Sequence, residues 1–339
     1  NTISGQPWAN FGTLNVATGA MFMNSVGQQM ALARGAAAAG QRVALAEACD
    51  VASCDGPSPW SAWLSAVGGL GSVQGNRNAS TFTYNAGGAA AGLDYRFDPR
   101  FLIGLSVGYT HGTQWTNGFM GQGWSDTVSV AAYGSFTQGG FYVDALAGYA
   151  RSTNQLQRQI VFPNLQPRTA SGSASANQFL GQAEAGYRFS IYAPAQASLT
   201  PFARVSVQSV TQNAFSESGA NSLSLNVAQQ GTNSLRSTIG AELAGELPLG
   251  SASKLALALR LGWLHEFDDT SRPISAAFAG APGNPFAVYG ATPARDSAVI
   301  GFQASTTVAD ATSIYLRYDG EIGGGTDNHA INLGLRVSW

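Results

Sequence analysis

His329 to Trp339 reads H-A-I-N-L-G-L-R-V-S-W, and its alternation decides how the rest of the chain is read. Ile331, Leu333, Leu335, Val337 and Trp339 fall on one face of a period-2 strand; Asn332, Gly334, Arg336 and Ser338 fall on the other. Soluble termini usually fray into water, so a strand whose apolar face runs out into a tryptophan fits one poorly. It suits an outer-membrane barrel, whose last strand pairs with its first and holds an aromatic at headgroup level. A core strand of a soluble β-sandwich would carry the same alternation, so the remaining residues must decide.

Only 11% of the 339 residues are charged, against about 25% in soluble proteins, which is too few to coat a soluble surface. Hydrophobic residues are an ordinary 45%, and no run of about 18 apolar residues exists to make a transmembrane helix, so a membrane protein of this composition spans as strands. A net charge of -2 with dispersed Lys and Arg gives no polybasic stripe, and nucleic acid is not an expected partner. Cys49 and Cys54 lack the histidines or further cysteines of a zinc site and are expected to form a local disulfide in an oxidising periplasm. No metal or other cofactor is expected. No signal peptide is legible at Asn1, so the sequence reads as mature protein or as the C-terminal piece of a longer one.

From about Val16 to Ala48 the sequence is rich in Ala, Gln, Met and Leu without proline, and a long helix is expected there. Gly19, Gly27, Gly35 and Gly40 would make it marginal in water, so something should enclose it. A flexible Ala/Gly linker is the alternative. Pro57 and Pro59 end this regime, which divides the chain into a linker with pore helix, 1–57, and a barrel, 58–339.

Beyond Pro59 about twelve period-2 segments follow one another: 60–74, 80–97, 101–114, 124–137, 141–157, 175–192, 196–212, 233–247, 254–267, 295–309, 312–322 and 329–339. Tight turns such as Asp98-Pro99-Arg100 and Gln138-Gly139-Gly140 alternate with long polar loops, 115–123, 159–174, 213–232 and 268–294. An outer-membrane barrel alternates in this way, with short periplasmic turns and long extracellular loops; a sandwich has no reason to. One parity is apolar, as in Phe101, Ile103, Leu105 and Val107, and should touch lipid. The opposite parity carries Asp94, Arg96, Asp144, Glu184, Arg188, Arg204, Arg236, Glu242, Arg260, Glu266, Arg317, Asp319, Glu321 and Arg336, which should line the lumen. A charge at mid-bilayer on the lipid face costs about 2 to 4 kcal/mol, which explains the segregation. Arg151 and Arg158 break the rule near a loop. Phe97, Phe101, Phe141, Phe189 and Trp339 mark one girdle, and Tyr109, Tyr149 and Phe179 the other. The fold expected is an all-β transmembrane barrel of about twelve antiparallel strands with an N-terminal helix inside, Arg34 and Arg42 meeting acids among Glu184, Glu242, Asp319 and Glu321.

This layout resembles the C-terminal translocator (β-domain) of classical monomeric autotransporters, the type V secretion proteins. The resemblance spans essentially the whole chain and rests on Trp63 to Gly71, on W-L-H-E-F at Trp263 to Phe267, and on Tyr315 to Trp339 with its Y-D-G-E-I-G-G-G-T-D-N. It implies a monomeric twelve-stranded barrel in outer-membrane lipid, a linker helix in its pore, and transport of an N-terminal passenger to the cell surface. It also implies assembly by the Bam machinery with periplasmic chaperones, Trp339 being similar to the recognition signal. A channel or adhesin acting through long extracellular loops is the alternative function.

Chemistry is sparse. His111, His265 and His329 share no metal spacing. His265-Glu266 with Asp268 and Asp269 could make a rim hydrolase, yet no second constellation converges on it, and a polar strand end is the simpler reading. Gly68 to Gly71 and Gly323 to Gly325 lead into no helix and are poor phosphate cradles. Some members of the resembled family release the passenger when a pore-helix asparagine cyclises; Asn24-Ser25 stands in a comparable place but has Ser25 where several of them carry a second asparagine. The expectation is therefore no enzyme, with self-cleavage at Asn24 as the minor alternative.

Overall fold

The computed structural model describes residues 3–38, 59–164, 166–249, 253–309 and 311–339. Strands in chain order are β1 (Trp60–Val73), β2 (Phe82–Asp98), β3 (Phe101–Thr116), β4 (Met120–Gln138), β5 (Phe141–Ile160), β6 (Arg168–Tyr187), β7 (Phe189–Tyr192), β8 (Ala197–Gln212), β9 (Phe215–Ser216), β10 (Leu225–Val227), β11 (Gln230–Leu249), β12 (Ser253–Glu266), β13 (Pro273–Phe278), β14 (Phe286–Tyr289), β15 (Asp296–Ala309), β16 (Thr312–Gly323) and β17 (Thr326–Ser338). Twelve of them, β1 to β6, β8, β11, β12 and β15 to β17, form one antiparallel sheet, in which β7 prolongs β6 alongside β8. The sheet closes because β17 pairs with β1 from Ser338 opposite Ser61 to Thr326 opposite Val73. Closure leaves no edge, which a sheet in hydrocarbon requires.

The two parities separate as the alternation predicts. Outward residues are apolar and uncovered, with Leu105 68% and Phe179 66% exposed, whereas their strand neighbours Ser106 and Gln178 are buried. Arg151 does point outward, but Arg158 does not break the pattern: it lies on the inward parity of β5, buried against Glu217. Aromatic side chains inside the wall need room, and glycine supplies it. A Cβ at Gly92 would meet the Trp63 indole at 2.5 Å, and one at Gly108 would meet the Phe22 ring of the central helix at 2.7 Å.

That helix, α1, runs Gln6–Ala38. It begins ten residues before the expected Val16, while the expected end at 39–48 lies outside the described residues. Pro7 stands in its first turn, where a missing N–H costs nothing, just after Gly5 at φ 73°. Within 6–15 the barrel supplies partners to the polar side chains of Asn10 and Asn15. Asn10 donates to Thr116 Oγ1 at 3.0 Å, and Ser125 donates to Asn15 Oδ1 at 3.2 Å. Gln28, Gln29 and Ser25 are as buried as Met23, Val26 and Met30, so α1 is covered on every side. Against water alone it would be a poor helix. No described helix is long and apolar enough to cross a membrane, so α1 sits in the fold as filling.

The long loops hold more structure than their composition suggests. β5 and β6 continue through most of the expected 159–174 loop. The expected loops 213–232 and 268–294 contribute β9, β10, β13 and β14, which form a separate four-stranded sheet in the order β14-β13-β10-β9. Its inner residues Leu225, Val227, Ile274, Ala276 and Val288 pack with Trp8, Phe11 and Leu14 of α1, capping the long-loop end of the barrel. In that cap the N–H and hydroxyl of Ser271 bond the Asp269 carboxylate and hold it below the usual carboxylate range.

Because α1 fills the lumen, removing residues 6–38 is expected to raise single-channel conductance sharply in planar bilayers. A deletion barrel as quiet as the intact chain would mean that the wall, and not the helix, closes the pore.

Candidate functional site: the charged lumen

Most inward charges find partners on other strands or on the helix; Arg317 and Asp319 pair within β16, and Arg188, expected in the lumen, is exposed just past the end of β6. Glu184 of β6 is a hub: it accepts from Tyr142 Oη at 2.8 Å, from Arg204 Nε at 2.7 Å and from Arg260 Nη2 at 2.5 Å. Arg260 also stacks 3.4 Å from the Phe202 ring centroid and reaches Glu242 at 3.8 Å. Two helix side chains are held from this wall. Arg204 Nη1 donates to Asn24 Oδ1 at 3.0 Å, and Arg317, paired with Asp319 at 2.6 Å, donates to Gln28 Oε1 at 2.5 Å. Nearer the long loops Arg236 bonds Glu266 at 2.9 Å and lies 3.5 Å from Glu321.

Two further clusters lie toward the short turns. Arg336 of β17 reaches across β1 to Asp94 of β2, with one contact at 2.9 Å. Asp94 also accepts from Tyr133, which in turn accepts from the Trp63 indole at 2.7 Å, so the chain-closing seam is bridged by β17, β2, β4 and β1 together. The other cluster holds the end of α1. Arg34 pairs with Asp144, which accepts from Ser135 at 2.7 Å, and its guanidinium lies 3.9 Å from the Tyr142 ring centroid. Arg96 donates to the Ala33 carbonyl at 2.8 Å, a cation placed on the negative end of the helix.

The partner expected for Arg34 is thus corrected from Glu184, Glu242, Asp319 or Glu321 to Asp144. Those acids sit on the far wall or are taken up by Arg204, Arg260, Arg317 and Arg236, whereas α1 packs most closely against β3, β4 and β5. Asp94, Asp144, Arg96 and Tyr133 were legible as lumen residues by parity or not at all; their pairing follows from register, which sequence does not carry. Arg42, Cys49 and Cys54 lie outside the described residues. Trp339 donates its backbone N–H to the Trp60 carbonyl at 3.1 Å with its ring exposed.

The alternatives for chemistry come apart in space. His265 faces outward and bonds Asp296 at 2.8 Å, while Glu266 faces inward to Arg236, so adjacent residues that looked like an acid–base pair are on opposite sides of the wall. His111 bonds Asp126 and His329 bonds Tyr318, each on its own strand pair, and no metal-binding group of three is found among the described residues. At Asn24 the group in reach is the Arg204 guanidinium, with no carboxylate bonded to it among the described residues. Ser25 donates to the Met21 carbonyl and accepts from Asn332 at 2.6 Å.

A closed twelve-strand wall around a helix has known counterparts. Residues 62–319 match the family description "Autotransporter beta-domain". The chain belongs to that family. Among solved structures it is similar to the translocator domain of the autotransporter NalP from Neisseria meningitidis, with a TM-score of 0.66, 16% identity and coverage of 91% of this chain and 97% of that one. The β-domain of the Bordetella autotransporter BrkA gives 0.61 at 18% identity, covering 83% and 100%. The curated esterase EstA of Pseudomonas aeruginosa is 22% identical over 281 residues, 82% of this chain and 43% of its own length, so the chain spans less than half of that relative. As an autotransporter β-domain, this chain is an outer-membrane translocator for a passenger domain.

The seam cluster makes a testable statement about stability. Asp94 and Arg336 are both buried, so Asp94→Ala alone leaves a desolvated guanidinium and is expected to cost about 3 to 5 kcal/mol. Replacing both at once, Asp94→Leu with Arg336→Met, should recover most of that loss. Heat- or urea-induced mobility shifts of the refolded barrel compare the three proteins, and equal stability of Asp94→Ala and parent would contradict the seam's dependence on the pair.

Proposed function

We propose that this barrel delivers an N-terminally attached passenger to the cell surface, then keeps α1 in its pore as the passenger's anchor. The observation that carries the reading is directional: the N-terminal end of α1 lies under the long-loop cap, and Ile3 packs beside Phe162 and Leu223 of those loops. A polypeptide attached upstream therefore leaves through that mouth. In this reading the long loops are extracellular, and the short turns and Trp339 are periplasmic. Partners are the passenger, outer-membrane lipid, periplasmic chaperones and the Bam machinery, the barrel acting as a monomer without nucleic acid, cofactor or metal. The domain division is a linker with pore helix up to about residue 57 and the barrel beyond it, with Cys49 and Cys54 joined as a disulfide at the junction.

The passenger stays attached. Cyclisation of Asn24 needs its side-chain amide free to attack its own carbonyl and an acid to assist. Here the side-chain amide is held through its Oδ1 by Arg204, and Glu184, the carboxylate bonded to that arginine, is taken up by two arginines and a tyrosine. The loops, occupied in capping the barrel, favour a translocator over a channel or an adhesin.

A foreign passenger fused before Asn1 is expected to be removed by protease added to whole cells. Protection of the fusion while the barrel is properly inserted would refute the translocator. Intact-mass measurement of the refolded chain should find it whole, with Cys49 and Cys54 linked. A new N-terminus at Ser25, abolished by Asn24→Ala, would instead establish self-cleavage.

A further inference from the structure

The cap recognises one residue of the helix. Trp8 is fully buried with its indole N–H 2.8 Å from Glu217 Oε1, its ring 4.2 Å from that of Phe215 and 5.5 Å from that of Phe11. Glu217 and Arg158 are themselves 1% exposed and joined at 2.9 Å and 2.6 Å. The same carboxylate accepts the Leu225 N–H at 2.9 Å, and Arg158 also donates to the Leu223 carbonyl at 3.0 Å. A buried ion pair is tolerated only when its remaining hydrogen-bonding capacity is met. Here the fourth donor to the carboxylate, after two from Arg158 and one from Leu225, comes from the helix.

Two neighbouring side chains of α1, Gln6 and Asn10, and the Pro7 carbonyl are held in the same register. Gln6 makes two bonds to the Ser80 backbone, at 2.8 Å and 2.9 Å. Gln114 donates to the Pro7 carbonyl at 3.0 Å. Asn10 bridges Thr116 and the Ala291 N–H. Loops from four separate hairpins thus converge on residues 6–10. The contacts to Gln6, Trp8 and Asn10 cannot form while a polypeptide is moving through the mouth, because each needs one particular side chain at rest. An indole joins a large apolar ring to a single N–H donor, and Trp8 is the sole tryptophan in residues 1–59.

We propose that Trp8 is the halt residue of translocation: when it reaches Glu217 and Arg158, the two-loop cap folds over it, fixes the register of α1 and seals the mouth. The proposal rests on the translocator reading above and adds to it what stops the chain and where. Trp8, Glu217 and Arg158 act as positioning residues. Without them the cap lacks the contact that distinguishes the final register from positions one or two turns away.

The test uses the full barrel with a foreign passenger, Cys49 and Cys54 replaced by serine, and a single reporter, Thr18→Cys. Thr18 is buried about 15 Å along the helix from Trp8. In the parent a bulky membrane-impermeant maleimide added to whole cells should leave this reporter unlabelled. In Trp8→Phe, which keeps a ring and loses the N–H, and in Glu217→Gln, labelling should rise on the order of tenfold, the effect of one lost charge-assisted hydrogen bond. Single-channel events should become more frequent in the same variants. Glu217→Leu with Arg158→Met, which removes the buried charges together, separates loss of the latch from loss of folding, since its cap can still close on apolar contacts but cannot select Trp8. Normal passenger display with the reporter still protected and the channel still quiet in all three variants would overturn the halt residue. Failure of the parent itself to display the passenger would overturn the translocator reading.

Discussion

Hydrocarbon offers no partner to a backbone N–H or C=O, and this constraint shapes everything else in the molecule. Twelve strands meet it only if the chain's last strand finds its first. The β1–β17 pairing is therefore the contact on which the barrel depends, and the polar chemistry concentrated beside it follows. Arg336, Asp94, Tyr133 and Trp63 sit on four strands around the seam, where a missing partner would leave a buried charge exposed to nothing. A charged cluster here specifies which strands meet as much as it adds stability, since an incorrect register would bury the same groups unpaired.

Closure creates a lumen, and the lumen sets the terms for the helix. One wall, β3 to β5, lets α1 approach closely at positions such as Gly108 and closes around it with apolar contacts. The opposite wall carries Arg204, Arg260, Arg317, Asp319 and Glu184, which satisfy one another first and reach the helix through Asn24 and Gln28. The helix is thus held by shape and by the Arg34–Asp144 pair on one side and tethered by neutral amides on the other. Amide tethers on that wall hold the helix without burying another full charge.

The barrel was legible in the sequence because strand periodicity and the cost of lipid-facing charge leave marks on every second residue. Leu93, Phe101 to Val107 and Ile331 to Leu335 show it without any structure. Three things were not legible, each for a physical reason. The first ten residues of α1 include Pro7, Gly12 and two asparagines, all poor helix formers, and only the surrounding wall makes Asn10 and Asn15 acceptable in a buried helix. The capping strands are two to six residues long, too short to carry a period that can be detected. Arg34 meets Asp144 because of helix register and wall position, neither of which a linear pattern encodes. Arg158 shows the converse: read in the sequence as breaking the alternation, it falls on the inward face when β5 is counted in steps of two from Asp144.

Strand β5 also measures the membrane. Its outward residues are apolar from Phe141 to Tyr149, then become Arg151, Thr153, Gln155, Gln157 and Gln159. Eight residue steps at about 3.3 Å, tilted by about 40°, span a height of roughly 20 Å, close to the thin apolar band of bacterial outer membranes. The rest of the strand, with its partner in β6, stands clear of lipid as a twisted ribbon. Hydrophobic mismatch would therefore hold the barrel at a fixed depth, with Arg151 at the boundary, and the ribbon becomes a rigid mast from which the cap is hung. A force on the cap is thus met by backbone ladders that run down into the bilayer, which would shear lengthwise instead of peeling as a loop.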